Sequence, residues 1–211
     1  MIPHAIALAA LIGRCAPEIA PSTMAAVVRV ESGGDPLAIG DNTARRSYHP
    51  SSRASAEALA RHLLDERHSL DLGMAQIDNV NFARFGVDVH AIFDACTNLS
   101  VGAKILAGDY AIAERRYGSG QIALRHAIGM YNTGQLDAGV AYVNRVLDAA
   151  GVQQDYNVGQ RVIAPGVPRS SARVGPLAVR RQKHQTSRKV VTPLRAPIVV
   201  TVSSRSLVVL F

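Results

Sequence analysis

The sequence predicts a mainly α fold over residues 1–150, with one small β or loop element, followed by a basic, Pro-containing tail over residues 151–211. Three observations carry this. Apolar residues recur at helical spacing through most of the first 150 positions, punctuated by Gly, Pro and capping residues. The stretch from Leu70 to Asp78 alternates partly at period two around Gly73, which suggests a short extended segment or tight loop. The formal charge of +7 divides unevenly: residues 1–150 hold 13 Lys and Arg against 15 Asp and Glu, a balance of −2, whereas residues 151–211 hold 10 against Asp155 alone, a balance of +9.

The N-terminal run MIPHAIALAALIG is apolar, with no Lys or Arg before it. Residues 2–14 are therefore read as the first helix of the domain rather than a signal peptide, which leaves the export route open. No apolar run reaches the roughly 18 residues needed to span a bilayer.

Residues 22–32 predict the second helix, started by Pro21 and Ser22 or Thr23 and stopped by Gly33 and Gly34. Met24, Val27, Val28 and Glu31 share one face by their spacing. Three are apolar, so the face is inward, and the fourth is a carboxylate in the last turn, where the helix dipole is negative. Burial and dipole both disfavour the ionised form. A carboxylic acid kept protonated near neutral pH is what protonation of a glycosidic oxygen requires.

Residues 35–54 are turn-rich. Ser55 is expected to cap a helix whose inner face carries Ala58, Leu59, His62 and Leu63. Helices are expected near 88–94, 98–116, 120–130 and 137–149, with Asn98 as a cap and Gly118 as a stop. Beyond Gly151, five prolines interrupt a segment rich in Arg, Ser and Val that reads as flexible; its end, from Ile198 to Phe211, is β-prone. Cys15 and Cys96 make an even count, compatible with one long-range bridge or with two buried thiols.

Three polar motifs stand at element ends beside glycine: Glu31-Ser32-Gly33-Gly34, Asp71-Leu72-Gly73-Met74-Ala75-Gln76-Ile77, and Met130-Tyr131-Asn132-Thr133-Gly134. In this order they resemble the transglycosylase domain of the goose-lysozyme-like lytic transglycosylases, in particular members associated with type IV secretion and conjugation. FDACTNLSVGAKIL and RCAPEIAP resemble the family segments around its two cysteines, so the resemblance covers roughly residues 10–150. It implies a lysozyme-like α-domain whose small β or loop element lines a sugar groove. Glu31 then matches the catalytic acid. Ser32, Gly73, Met74, Gln76, Ile77, Tyr131 and Asn132 match substrate-binding positions, and Cys15 with Cys96 matches a disulfide. The sequence departs from the family pattern with Met74 for Leu, Asp78 for a frequent Asn, and Met130 for a small residue; none removes a group the chemistry needs.

The resemblance further implies cleavage of the β-1,4 bond between N-acetylmuramic acid and N-acetylglucosamine, with Glu31 as acid and then base and a 1,6-anhydro product. Tyr131 would orient Glu31, while Gln76 and Asn132 would offer amides to N-acetyl groups. Asp35, Asp41, Asp71 and Asp78 lie near the motifs; turn chemistry accounts better for the first two. No metal or cofactor is implied, since the histidines are scattered and no phosphate loop is present. The implied partners are peptidoglycan strands and, through residues 151–211, secretion-system proteins, in a periplasmic or envelope setting. The alternatives are a hydrolytic muramidase and a non-catalytic, peptidoglycan-binding assembly factor. Nucleic-acid binding by the tail is disfavoured, because no aromatic residue lies between Tyr156 and Phe211 for base stacking.

Overall fold

The apolar N-terminal run folds as helix α1, His4–Cys15, in a computed structural model that describes residues 4–152. Ile12 and Cys15 face the core, and Cys15 is joined to Cys96 with Cα atoms 5.1 Å apart. The bridge ties the end of α1 to the start of a helix 81 positions away.

Helix α2, Pro21–Ser32, begins with Pro21 in its first turn; Ala20 is the cap and supplies no side-chain hydrogen bond, so Ser22 and Thr23 lie inside the helix. Proline suits this position, because its fixed φ is helical and its missing N–H would have no partner there. Gly33, at φ 66°, ends the helix in the left-handed conformation. Met24, Val27 and Val28 are all 0% exposed, as the helical spacing requires.

The turn-rich segment contains a hairpin that sequence reading did not separate: β1, Ile39–Asp41, and β2, Arg46–Tyr48. Asp41 accepts the amides of Thr43 and Ala44 and shapes the turn between them. Three-residue strands are too short for period two to register, so only their turn was legible.

Helix α3, Arg53–Asp65, is capped by Ser52, with Ser55 returning the hydrogen bond from its third position. The expected cap at Ser55 is thus three residues late. The buried face is Ala56, Ala60 and Leu63; Ala58 and His62 are exposed, and His62 pairs with Glu66 on the solvent side.

Strands β3, Leu70–Leu72, and β4, Ile77–Asp78, complete an antiparallel sheet of order β2-β1-β3-β4. Ile39 pairs with Leu72, and Leu72 with Ile77, so these three turn one face to the core; Gly40 and Asp71 pair on the other face. A 3-10 turn at Asn79–Asn81 leads into short helices α4, Phe82–Phe85, and α5, Val89–Ile92.

Helix α6, Ala95–Tyr117, starts earlier than expected because Asp94, not Asn98, is its cap. Gly118 ends it, as predicted. Helices α7, Gln121–Thr133, and α8, Val140–Ala149, follow. The core forms two clusters. The first gathers α1, α3, the sheet and the first half of α6; the second gathers the rest of α6 with α7 and α8. Helix α2 supplies Met24 and Val28 to the first and Ala26 and Val27 to the second, so its C-terminal turn emerges where the clusters meet. Apart from Gly151 and Val152, the tail with its β-prone end lies outside the described residues.

Candidate active site

Glu31 is half-buried in the last turn of α2, and its carboxylate accepts a hydrogen bond from the Tyr142 hydroxyl. Tyr142 belongs to the apolar stripe of α8, with Val143, Val146 and Leu147. Burial first, then the Glu31 charge and the hydrogen bond to it, push the Tyr142 phenol far above its ordinary range, against the opposing charge of Arg145. The phenol therefore remains a donor at every pH the protein meets. Sequence reading missed Tyr142. The signal available was a lone tyrosine in an otherwise aliphatic stripe, whose polar tip needs a partner when buried.

Ser32 braces the end of the helix. Its hydroxyl donates to the Met74 carbonyl at 2.8 Å and accepts the Gly34 amide at 3.1 Å. This joins the turn after Glu31 to the 73–76 loop. Gly73 has φ 77°, and a Cβ there would lie 2.3 Å from the Asn98 side-chain nitrogen. Both the left-handed backbone and this close approach require glycine.

Asn98 explains that contact. Its side-chain nitrogen donates to the carbonyls of Leu72 and Ile92, at 2.8 and 3.0 Å, while its oxygen accepts the Ala75 amide at 2.7 Å. A buried amide thus satisfies one backbone group each of β3, α5 and the 73–76 loop and ties the three together. Gln76, also left-handed at φ 47°, donates from its side chain to the carbonyls of Gly73 and Ala38. Its side-chain oxygen sits over Gly40, where a Cβ would come within 2.8 Å.

The Tyr131 hydroxyl donates to the Ala75 carbonyl at 2.7 Å. It lies against Gly102 of α6, where a Cβ would stand 3.0 Å from it. Burial pushes this phenol well up, and the charges of Glu31, Asp109 and Asp71 add to the effect in that order. Tyr131 and Glu31 thus share one electrostatic environment. The Tyr131 hydroxyl holds the 73–76 loop through Ala75, and the Tyr142 hydroxyl donates to Glu31.

Glu31, Ser32, the 73–76 loop and Tyr131 therefore meet in one place. Met74 and Ile77 are 6% and 1% exposed, so their side chains belong to the core under the loop. Met130 is buried likewise. Asn132 is exposed at the end of α7.

Asp35 accepts the Leu37 amide, so both it and Asp41 do turn chemistry, as expected. Asp78 is buried and caps the 3-10 turn through Val80. Asp71 is half-buried on the outer face of β3, accepting the Asn42 side-chain amide at 2.9 Å. Among the described residues, no three His, Cys, Asp or Glu side chains cluster at metal-binding distance, and no helix is long and apolar enough to cross a membrane.

Residues 10–150 match the family model of the transglycosylase SLT domain. The chain is 45% identical over 139 residues to protein virB1 of Rhizobium radiobacter, covering 65% of this chain and 58% of that protein. It is 43% identical over 138 residues to protein virB1 of Agrobacterium fabrum, covering 64% and 56%. With the type IV secretion system protein virB1 of Brucella abortus it shares 37% identity over 147 residues, covering 66% and 62%. The chain thus spans less than two thirds of the length of these relatives. No solved structure matches it.

Proposed function

The chain belongs to the transglycosylase SLT domain family, and from that premise we propose that it is a lytic transglycosylase that opens peptidoglycan locally for a type IV secretion apparatus. The observation that carries the reading is the half-buried Glu31 carboxylate at a helix end, gripped by the Tyr142 hydroxyl beside the Tyr131–Ala75 contact. The bond cleaved is the β-1,4 link between N-acetylmuramic acid and N-acetylglucosamine.

Glu31 starts protonated. The phenol of Tyr142 donates to its Oε1 and holds the carboxyl in place for proton transfer. The acid proton passes to the glycosidic oxygen as the bond to the anomeric carbon breaks. The 6-hydroxyl of the muramic residue then attacks the same carbon, and the Glu31 carboxylate takes its proton. One C–O bond has broken, one has formed, the acid is regenerated, and no water is consumed.

One carboxylate suffices on this route. A two-carboxylate glycosidase would need a partner at about 5–5.5 Å or about 6.5–9.5 Å. Ser32, Gly73 and Gln76 hold the loop whose backbone borders the saccharide, and Asn132 offers an exposed amide to N-acetyl groups. Met74 and Ile77 contribute from beneath by packing. The setting is the cell envelope, and residues 151–211, with their balance of +9, are the segment suited to anionic or protein partners there.

The test is mass spectrometry of fragments released from purified peptidoglycan by the wild type and by Glu31→Gln. Anhydro-muropeptides from the wild type alone support the reading. Reducing-end products, one water heavier, would make the protein a muramidase and turn attention to Asp71. No release by a folded, disulfide-bonded wild type would leave a binding role.

A further inference from the structure

Helix α6 carries one carboxylate that neither the fold nor the proposed chemistry explains. Asp109 lies two turns beyond Gly102, on the same side of the helix by its spacing of seven. One of its oxygens, Oδ2, is fully buried and has no hydrogen-bond partner. A buried, unpartnered carboxylate oxygen is costly, and in a native fold it calls for a reason.

Two groups bear on it. The Arg84 guanidinium of α4 approaches the same stretch of α6, 3.9 Å from where a Cβ on the adjacent Gly108 would stand. From α7, the Tyr131 phenol feels the Asp109 charge, together with those of Glu31 and Asp71. Burial pushes the Asp109 carboxyl up to about 7, with Arg84 opposing. Asp109 therefore changes charge near neutral pH, within electrostatic reach of the phenol that holds Ala75 and shares the field of Glu31.

We propose that Asp109 is a positioning residue of the glycan site: its neutral form keeps the α4–α6–Tyr131 wall closed, and its ionisation loosens that wall. This rests on the glycan reading given above. In the neutral form the unpartnered oxygen needs only modest solvation. Once ionised, it must draw in water or the flexible Arg84 side chain, and either movement disturbs the packing of Tyr131 against Gly102.

The experiment uses the full chain in a Glu31→Gln background, which removes both turnover and the titration of Glu31. Binding of an N-acetylglucosamine oligomer is measured by calorimetry across pH, alongside the ring resonances of Tyr131 by NMR. Affinity should fall about tenfold between roughly pH 6 and pH 8, and adding Asp109→Asn should hold it within about twofold. The Tyr131 resonances should titrate with a midpoint near 7 and stop doing so in the double variant.

The same pH dependence of affinity with and without Asp109 overturns the proposal, even if melting temperatures differ. So does a Tyr131 signal that does not titrate in the single variant, a readout that stands if the double variant fails to fold. No oligomer binding at any pH removes the glycan reading itself and the proposal with it.

Discussion

The hydroxyl of Tyr142 donates to the carboxylate of Glu31 across 111 positions of sequence. Helices α2 and α8 thereby build the proposed acid together: one presents the carboxyl at its end, and the other donates a hydrogen bond to it. The Arg145 guanidinium lies 5.5 Å over the Tyr142 ring and helps fix the phenol. On the proposed function, Tyr142→Phe should keep the fold and lower kcat about 10- to 100-fold with little change in KM, because the lost bond would orient the acid rather than bind sugar. The check is steady-state kinetics on peptidoglycan beside a thermal melt. A Phe variant with wild-type kcat would remove Tyr142 from the site.

Asn98 should matter for a different reason. Asn98→Ala would leave the Ala75 amide and the Leu72 and Ile92 carbonyls without their partner. The expected loss is about 2–4 kcal/mol of stability, seen as a lower denaturation midpoint, together with faster amide exchange at Ala75. Activity should fall with the loop, since Tyr131 donates to the carbonyl of the same residue. Asn98→Asp is the informative second variant: it retains an acceptor for Ala75 but cannot donate to both carbonyls.

These two residues mark where sequence reading stopped. Glu31 was legible because a helical period, a helix stop and an acid coincide within a dozen positions. The glycines at 33, 73 and 118 were legible as punctuation, and all three have positive φ. Asn98 was read as a helix cap because capping is what asparagine does locally; its actual partners lie 6 to 26 residues away, and no local pattern encodes them. Tyr142 was hidden in an ordinary apolar stripe. The β1–β2 hairpin escaped because its three-residue strands are held by pairing with β3 rather than by their own composition. The sequence thus reveals local preference, whereas the site is completed by long-range polar contacts.

The Cys15–Cys96 bridge closes a loop spanning most of the first core cluster. Constraint of the unfolded chain by a loop of this length is worth about 4 kcal/mol in the chain-entropy picture. Replacing both cysteines with serine should lower the melting temperature by more than ten degrees or so for a domain of this size. Reduction of the wild type should match it, and a melt with and without a strong reductant checks both. Equal melting temperatures would mean that α1 docks without the bridge.

Acid should unfold the sheet end of the domain first. Asp41 is buried on β1; burial alone would raise its pKa, but the Ala44 and Thr43 amides and the His68 side chain, at 2.8 Å, together hold it below the ordinary 3.8. A folded-state value below the unfolded one means that the unfolded chain binds the proton more readily. The resulting stability is present above the unfolded value and disappears as pH falls through the folded one. Asp109 has the opposite sign: raised to about 7, it removes stability as pH climbs from 3.8 toward that value. Asp41→Asn should therefore cost about 1–3 kcal/mol at mildly acidic pH and almost nothing below the folded value, where the wild type has lost the same charge. Urea midpoints of both proteins across this range test the sign. If the two curves stay parallel down to the acid limit, Asp41 contributes through packing, and the hairpin turn does not depend on its charge.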